Sequence, residues 1–187
     1  MIWLSFILLL LFLGVGAIDG IYFHLKKYQL FAHQESRTEH LLHSIRALLL
    51  VPTILLLYVL PSQGWQLYLA LGFVILDLVV MVADVLIEYK SRASLGGLTS
   101  AEYTVHMVAN SLHMMAITLA FASRPLEYWQ LNHNPTLNFS IPELIKTFSI
   151  ILMLTTIFGA IQHFLLLHPK FSKNFGMPSQ INPSLNR

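Results

Sequence analysis

The stretch DLVVMVADVLIEYKSRASLGGLTSAEYTVH, residues 77–106, decides the fold. An apolar run ends in Asp84 and Glu88, turns at Ser94-Leu-Gly-Gly97, and restarts at Ser100 with Glu102 and His106 at its head. Residues i, i+4 and i+7 share one side of a helix. Asp77, Asp84 and Glu88 are spaced seven then four, and Glu102, His106 and His113 four then seven. Two antiparallel neighbours joined by this turn would face their polar stripes together. The expected partners are Glu88 with Glu102, Asp84 with His106, and Asp77 with His113. Ser100 is the expected N-cap of the second helix, with Glu102 in its first turn.

Working outward, the same composition holds throughout. Of 187 residues, 56% are hydrophobic and 11% charged. A soluble domain would carry about twice that charged fraction, so the chain is read as an integral membrane protein. Five runs are long enough to span, at roughly 2–22, 39–60, 66–88, 101–122 and 142–166. The expected fold class is an all-α bundle of five transmembrane helices. Residues 1–168 form one domain and 169–187 a loosely ordered tail. Pro52 should kink the second helix rather than end it. Val15-Gly16-Ala17 resembles a signal-peptide cleavage site, but no basic region precedes the apolar run, so it is read as a retained helix.

Lys and Arg set the expected orientation. Lys26, Lys27, Arg37 and Arg46 are assigned to the first connection, Lys90 and Arg92 to the third, and Lys170, Lys173 and Arg187 to the tail. The second connection has none and the fourth has Arg124. The positive-inside rule then puts the N-terminus outside and the C-terminus in the cytoplasm, in a cell inner (plasma) membrane. Trp3, Trp65 and Trp129 would form an outer aromatic belt.

The polar residues gather at the cytoplasmic end of this arrangement. Asp19 and His24 end the first helix, and Glu39, His40 and His43 begin the second. Asp84 and Glu88 end the third, Glu102 and His106 begin the fourth, and His163 lies near the end of the fifth. Ionisable groups within a span are costly and mark functional sites. Carboxylates buried together would repel and protonate unless cations compensate them.

The expected metal ligands are Glu39, His43, Asp84, Glu88, Glu102 and His106, completed by His24 and His163. Asp84, Glu88 and Glu102 are the candidate catalytic carboxylates. Asp19, Asp77, Asn110 and His113 are expected around them or along a proton path. Oxygen and imidazole donors suit iron, manganese or zinc. Bundle di-metal proteins project ligands inward in this way, although their Glu/His pairs use i, i+3 where this chain uses i, i+4.

The leading expectation is a divalent metal site, with two iron ions, in an oxidoreductase acting on a lipid or apolar substrate. No flavin or nicotinamide fingerprint is present, so a separate electron donor or a partner membrane subunit is implied alongside membrane lipids. The alternatives are a zinc hydrolase, a haem b protein with two of His43, His106, His113 and His163 as axial ligands, and a proton or metal relay or accessory subunit. Met107, Met114, Met115 and Met153 suggest copper only weakly, because methionine commonly fills cores.

The bland alternative makes Glu39, Glu88 and Glu102 headgroup-level charges paired with Arg37, Lys90 and Arg92. His33, His40, His133 and His168 are read as boundary residues, and Asn138-Phe-Ser140 as a glycosylation sequon. The chain has no cysteine, which excludes disulfides, thiolate sites and iron–sulfur clusters. A net charge of +2 without basic runs gives no reason to expect nucleic acid.

Overall fold

The structure is a computed structural model that describes residues 1–131 and 139–172. His133 and Asn138 of the sequon lie outside the described residues, as do residues 173–187 of the tail. Among the described residues the chain is all helical. Five helices are long and apolar enough to cross a membrane: α1 Ile2–Lys27, α2 Arg37–Val59, α3 Trp65–Leu95, α4 Ser100–Ala122 and α5 Glu143–Leu166. A short turn of helix, α6 Pro169–Ser172, follows. Side chains such as Leu86, Phe158 and Val79 project outward, as spans facing lipid require.

The ends of the helices have local causes. The N-cap of α4 is Thr99 rather than Ser100, and its Oγ1 accepts from the Glu102 amide at 3.3 Å. Gly96 and Gly97 both have positive φ, at 97° and 84°, a left-handed pair that glycine adopts without a Cβ penalty. The helix of α2 runs through Pro52 and ends in a π-wound segment, Leu55–Val59. The last ten residues of α1, Ile18–Lys27, are π-wound as well.

The close helix pairs are α1 with α4, α2 with α3, and α2 with α5. This corrects the expectation for α3 and α4, which are joined by a short turn but are not among the close pairs. At one end the two groups are tied together. Ser5 Oγ lies 2.6 Å from the Tyr58 hydroxyl and donates to the Ala116 carbonyl at 2.7 Å, linking α1, α2 and α4. The largest apolar cluster surrounds this junction, with Leu9, Ile54, Leu57, Leu67, Ile117 and Ile145 buried in it. Trp65 and Trp129 stand at this same end, where the Tyr68 hydroxyl donates to the Trp129 carbonyl.

Towards the other end lies a cavity of about 400 Å³ lined by residues from all five helices. Below it a small second core of Phe23, Tyr28 and Leu30 closes the bundle. Ser36 Oγ holds that floor by donating to the Leu30 carbonyl at 2.9 Å.

Candidate metal centre

The π-winding of α1 begins the site. Hydrogen bonding from i to i+5 makes five residues roughly one turn, so Asp19 and His24 come onto one face. His24 Nε2 lies 3.5 Å from Asp19 Oδ1 and 3.7 Å from Glu39 Oε1 of α2. An ordinary α-helix would have turned these two side chains apart.

Around them α2, α3 and α4 deliver the remaining groups. His43 Nε2 is 2.9 Å from Asp84 Oδ2. His106 Nε2 is 2.6 Å from Asp19 Oδ1, and its Nδ1 contacts Glu88. One expected pairing is exchanged: Asp84 meets His43 rather than His106, and His106 meets Glu88, while Glu88 and Glu102 do fall in one donor group. The physical reason is the packing. With α2, not α4, against α3, Asp84 faces the second helix. The Asp77–His113 juxtaposition is present, with Oδ2 3.5 Å from Nδ1.

The three imidazoles are close. The ring centroids of His24 and His43 are 4.0 Å apart, those of His24 and His106 5.6 Å, and those of His43 and His106 6.1 Å. Three groups of donors each gather within 4.8 Å: Asp19, His24, His43 and His106; Glu39, His43 and Asp84; and Glu88, Glu102 and His106. His43 and His106 are each shared between two groups. The three groups therefore adjoin one another through these two rings.

Buried polar atoms are nearly always hydrogen-bonded. Here His24 Nδ1 and Nε2, His43 Nε2, Glu39 Oε1, Asp84 Oδ1 and Glu102 Oε2 are buried with no hydrogen bond. The His43–Asp84 contact is short, yet the carboxylate lies off the line of a ring N–H.

Glu39 and Glu102 are fully buried, and Asp84 and Glu88 nearly so, which removes the headgroup-level reading of the glutamates. Their basic partner is nonetheless one of the residues that reading named. Arg92, itself fully buried, places Nη1 2.6 Å from Glu39 Oε2 and Nη2 2.6 Å from Glu102 Oε1. Ser91 Oγ also donates to Glu39 Oε2. Each glutamate therefore gives one oxygen to Arg92 and leaves the other without a partner towards the cluster. Such bonds fix a ligand's orientation. The guanidinium lies 5.0 Å from the Tyr28 ring centroid in the floor, which takes it out of water.

Sequence reasoning missed three residues. Arg92 was assigned to a connection, but it is the hub of two buried ion pairs. Arg46, also assigned to a connection, lies inside α2 and donates from Nε to Asp77 at 3.2 Å and from Nη2 to Asn110 at 3.0 Å. Its i+3 spacing from His43 was the available signal. His40 is fully buried rather than a boundary residue. It stacks on His163 with centroids 4.9 Å apart, and its Nε2 lies 3.0 Å from the His163 carbonyl. His163 lines the cavity but joins none of the three donor groups. His33 is partly exposed and His168 exposed, away from the cluster.

Comparison with known protein families, curated proteins and solved structures finds no match for this chain. The meaning of the site rests on its own chemistry.

Proposed function

We propose that the chain is an integral membrane metalloprotein holding two divalent metal ions at one end of its helix bundle. The carrying observation is the convergence of three imidazoles and five carboxylates, among which His24 Nδ1 and Nε2, His43 Nε2, Glu39 Oε1, Asp84 Oδ1 and Glu102 Oε2 are buried without a hydrogen-bond partner. Charge supports two ions. Asp19, Glu39, Asp84, Glu88 and Glu102 carry five negative charges, and Arg92 supplies one positive charge among them. Two divalent cations would balance the remaining four; without them the compensation would fall to protonated imidazoles at His43 and His106, which contact Asp84, Asp19 and Glu88. Arg46 and Asp77 form a separate neutral pair.

The donors are hard oxygen and imidazole, which favours iron, manganese or zinc. We assign iron, in an oxidoreductase acting on a lipid or other apolar substrate. Bound iron would supply redox chemistry with open coordination positions. The chain's residues do the rest. His43 and His106 tie the two ion positions together, Arg92 orients Glu39 and Glu102, and Phe12, Leu13, Leu50 and Leu152 give the cavity apolar walls. Haem b suits the site less well, because the imidazoles already contact carboxylates where a porphyrin would have to lie. A separate electron donor or partner membrane subunit completes the reading. We assign the site to the cytoplasmic side of an inner membrane, because Lys26, Lys27, Arg37 and Lys90 lie at that end of the first three spans.

Metal analysis and an optical spectrum of the purified chain test this. About two irons per chain and no Soret band are expected. Stoichiometric zinc in a colourless protein would favour the hydrolase, a Soret band would favour haem, and a folded metal-free protein would favour a relay or accessory subunit.

A further inference from the structure

The cavity does not end at the carboxylates. It continues past them to a second polar shelf formed by Arg46, Asp77, Asn110 and His113. Asp77 is seven residues from Asp84 along α3, or about 10 Å at the rise of an α-helix.

This shelf differs from the metal cluster in charge. Arg46 Nε donates to Asp77 Oδ1 at 3.2 Å and Nη2 to Asn110 Oδ1 at 3.0 Å, so cation and anion cancel. His113 completes it, with Nδ1 3.5 Å from Asp77 Oδ2. Its ring stacks on Phe12, with centroids 4.3 Å apart and planes 10° from parallel. With the ring proton on Nδ1, facing Asp77 Oδ2, Nε2 would be free to accept a hydrogen bond. His113 is 4% exposed, and its Nε2 is buried with no hydrogen bond. Arg46 uses Nε and Nη2 on Asp77 and Asn110, and Nη1 has no hydrogen bond among the described residues. A clamp serving only to hold helices together would consume its polar atoms, because an unpaired buried group is costly. This one leaves the buried His113 Nε2 unpaired, beside Arg46, on two residues that line the cavity and are held by the two oxygens of one carboxylate.

We propose that this shelf binds the hydroxyl group of an apolar, bilayer-soluble molecule. His113 Nε2 accepts the hydroxyl proton and Arg46 donates to the hydroxyl oxygen. The carbon skeleton lies against Leu13, Leu50 and Leu152. A carboxylate or ammonium ligand is disfavoured, since the shelf has no net charge to answer it. The proposal rests on the functional reading above for its membrane-borne substrate, and names that substrate's polar group. Two sources share this chemistry, a phenolic hydroxyl of a quinol and an aliphatic long-chain alcohol.

The test uses the full chain in lipid nanodiscs, with partition into empty nanodiscs subtracted. Decylhydroquinone is compared with its dimethyl ether, and dodecanol with its methyl ether. At least one hydroxyl compound should bind about fivefold or more tighter than its ether, the worth of one net hydrogen bond. The arm that shows the preference identifies the source. His113→Phe keeps the stacking on Phe12 and should abolish the preference without changing the ether's affinity. If that variant does not fold, Arg46→Lys keeps the charge against Asp77 and should also weaken the preference. Equal binding of hydroxyl and ether in both arms overturns the proposal, as does a preference that survives His113→Phe. Metal content is measured on the same samples. A hydroxyl preference in metal-free protein would leave this site standing and remove the metal reading. Two metals per chain with no preference would do the reverse.

Discussion

Arg92→Met should be among the most damaging single changes in the chain. The guanidinium sits 2.6 Å from Glu39 Oε2 through Nη1, and 2.6 and 2.8 Å from Glu102 Oε1 through Nη2 and Nε. All three residues are fully buried. Methionine fills much of the volume but leaves two carboxylates without their cation. Breaking a buried pair in this way costs ~3–5 kcal/mol. At roughly 2–4 °C per kcal/mol for a chain of this size, the midpoint of thermal unfolding should fall by roughly 6–20 °C. The same change raises the uncompensated charge of the cluster from four to five, so two divalent ions no longer neutralise it. Adding Glu102→Gln removes one orphaned carboxylate and restores the charge, and should recover about half the loss, or ~1.5–2.5 kcal/mol. The assay is thermal unfolding in detergent followed by circular dichroism, with metal content measured on each variant. An unfolding midpoint within a degree or two of the parent would refute the reasoning. It would mean that Glu39 and Glu102 are solvated at the membrane surface and that Arg92 is an ordinary interface charge. Loss in the single variant with no recovery in the double would instead show that Arg92 acts by packing on Tyr28.

Replacing His43 or His106 by Ala should lose metal and destabilise the bundle by ~3–5 kcal/mol, because each ring serves two donor groups. His168→Ala, at an exposed position, should leave metal content and stability unchanged. Asp84→Asn should preserve the shape of the site while weakening metal binding and abolishing turnover, since an amide is a poorer ligand and leaves the cation under-compensated. Asp77→Asn should retain the metal, and metal loss equal to that of Asp84→Asn would place Asp77 in the cluster. Ser5→Ala should cost only about 1 kcal/mol in denaturant titrations, because the Tyr58 hydroxyl still reaches the Ala116 carbonyl at 3.2 Å. Reporter fusions at residue 187 and in the 123–141 loop should place the first in the cytoplasm and the second outside. A cytoplasmic signal from the loop would invert the orientation.

The sequence by itself determined the five apolar spans, because length and hydropathy suffice when lipid is the solvent. It also determined the turn at Gly96-Gly97, where only backbone chemistry is involved, and the gathering of acids and imidazoles at common helix ends. The spacing within α3 and within α4 was legible too, since helical periodicity fixes which side chains share a face. Periodicity is silent about which neighbour that face meets. Only the tertiary structure decided that α3 packs on α2, which gives Asp84 to His43, and that Glu88 reaches His106 of α4. It alone decided that α1 ends in π-winding, which brings Asp19 and His24 together at a spacing that an α-helical reading separates. Arg46 and Arg92 show the same limit from the side of charge. A long arginine can snorkel to water or fold inward onto carboxylates, and the choice depends on what lies over it. Here the floor of Phe23, Tyr28 and Leu30 covers Arg92, and Asp77 and Asn110 from two other helices receive Arg46. Those partners are distant in sequence, so only the packed fold brings them into reach.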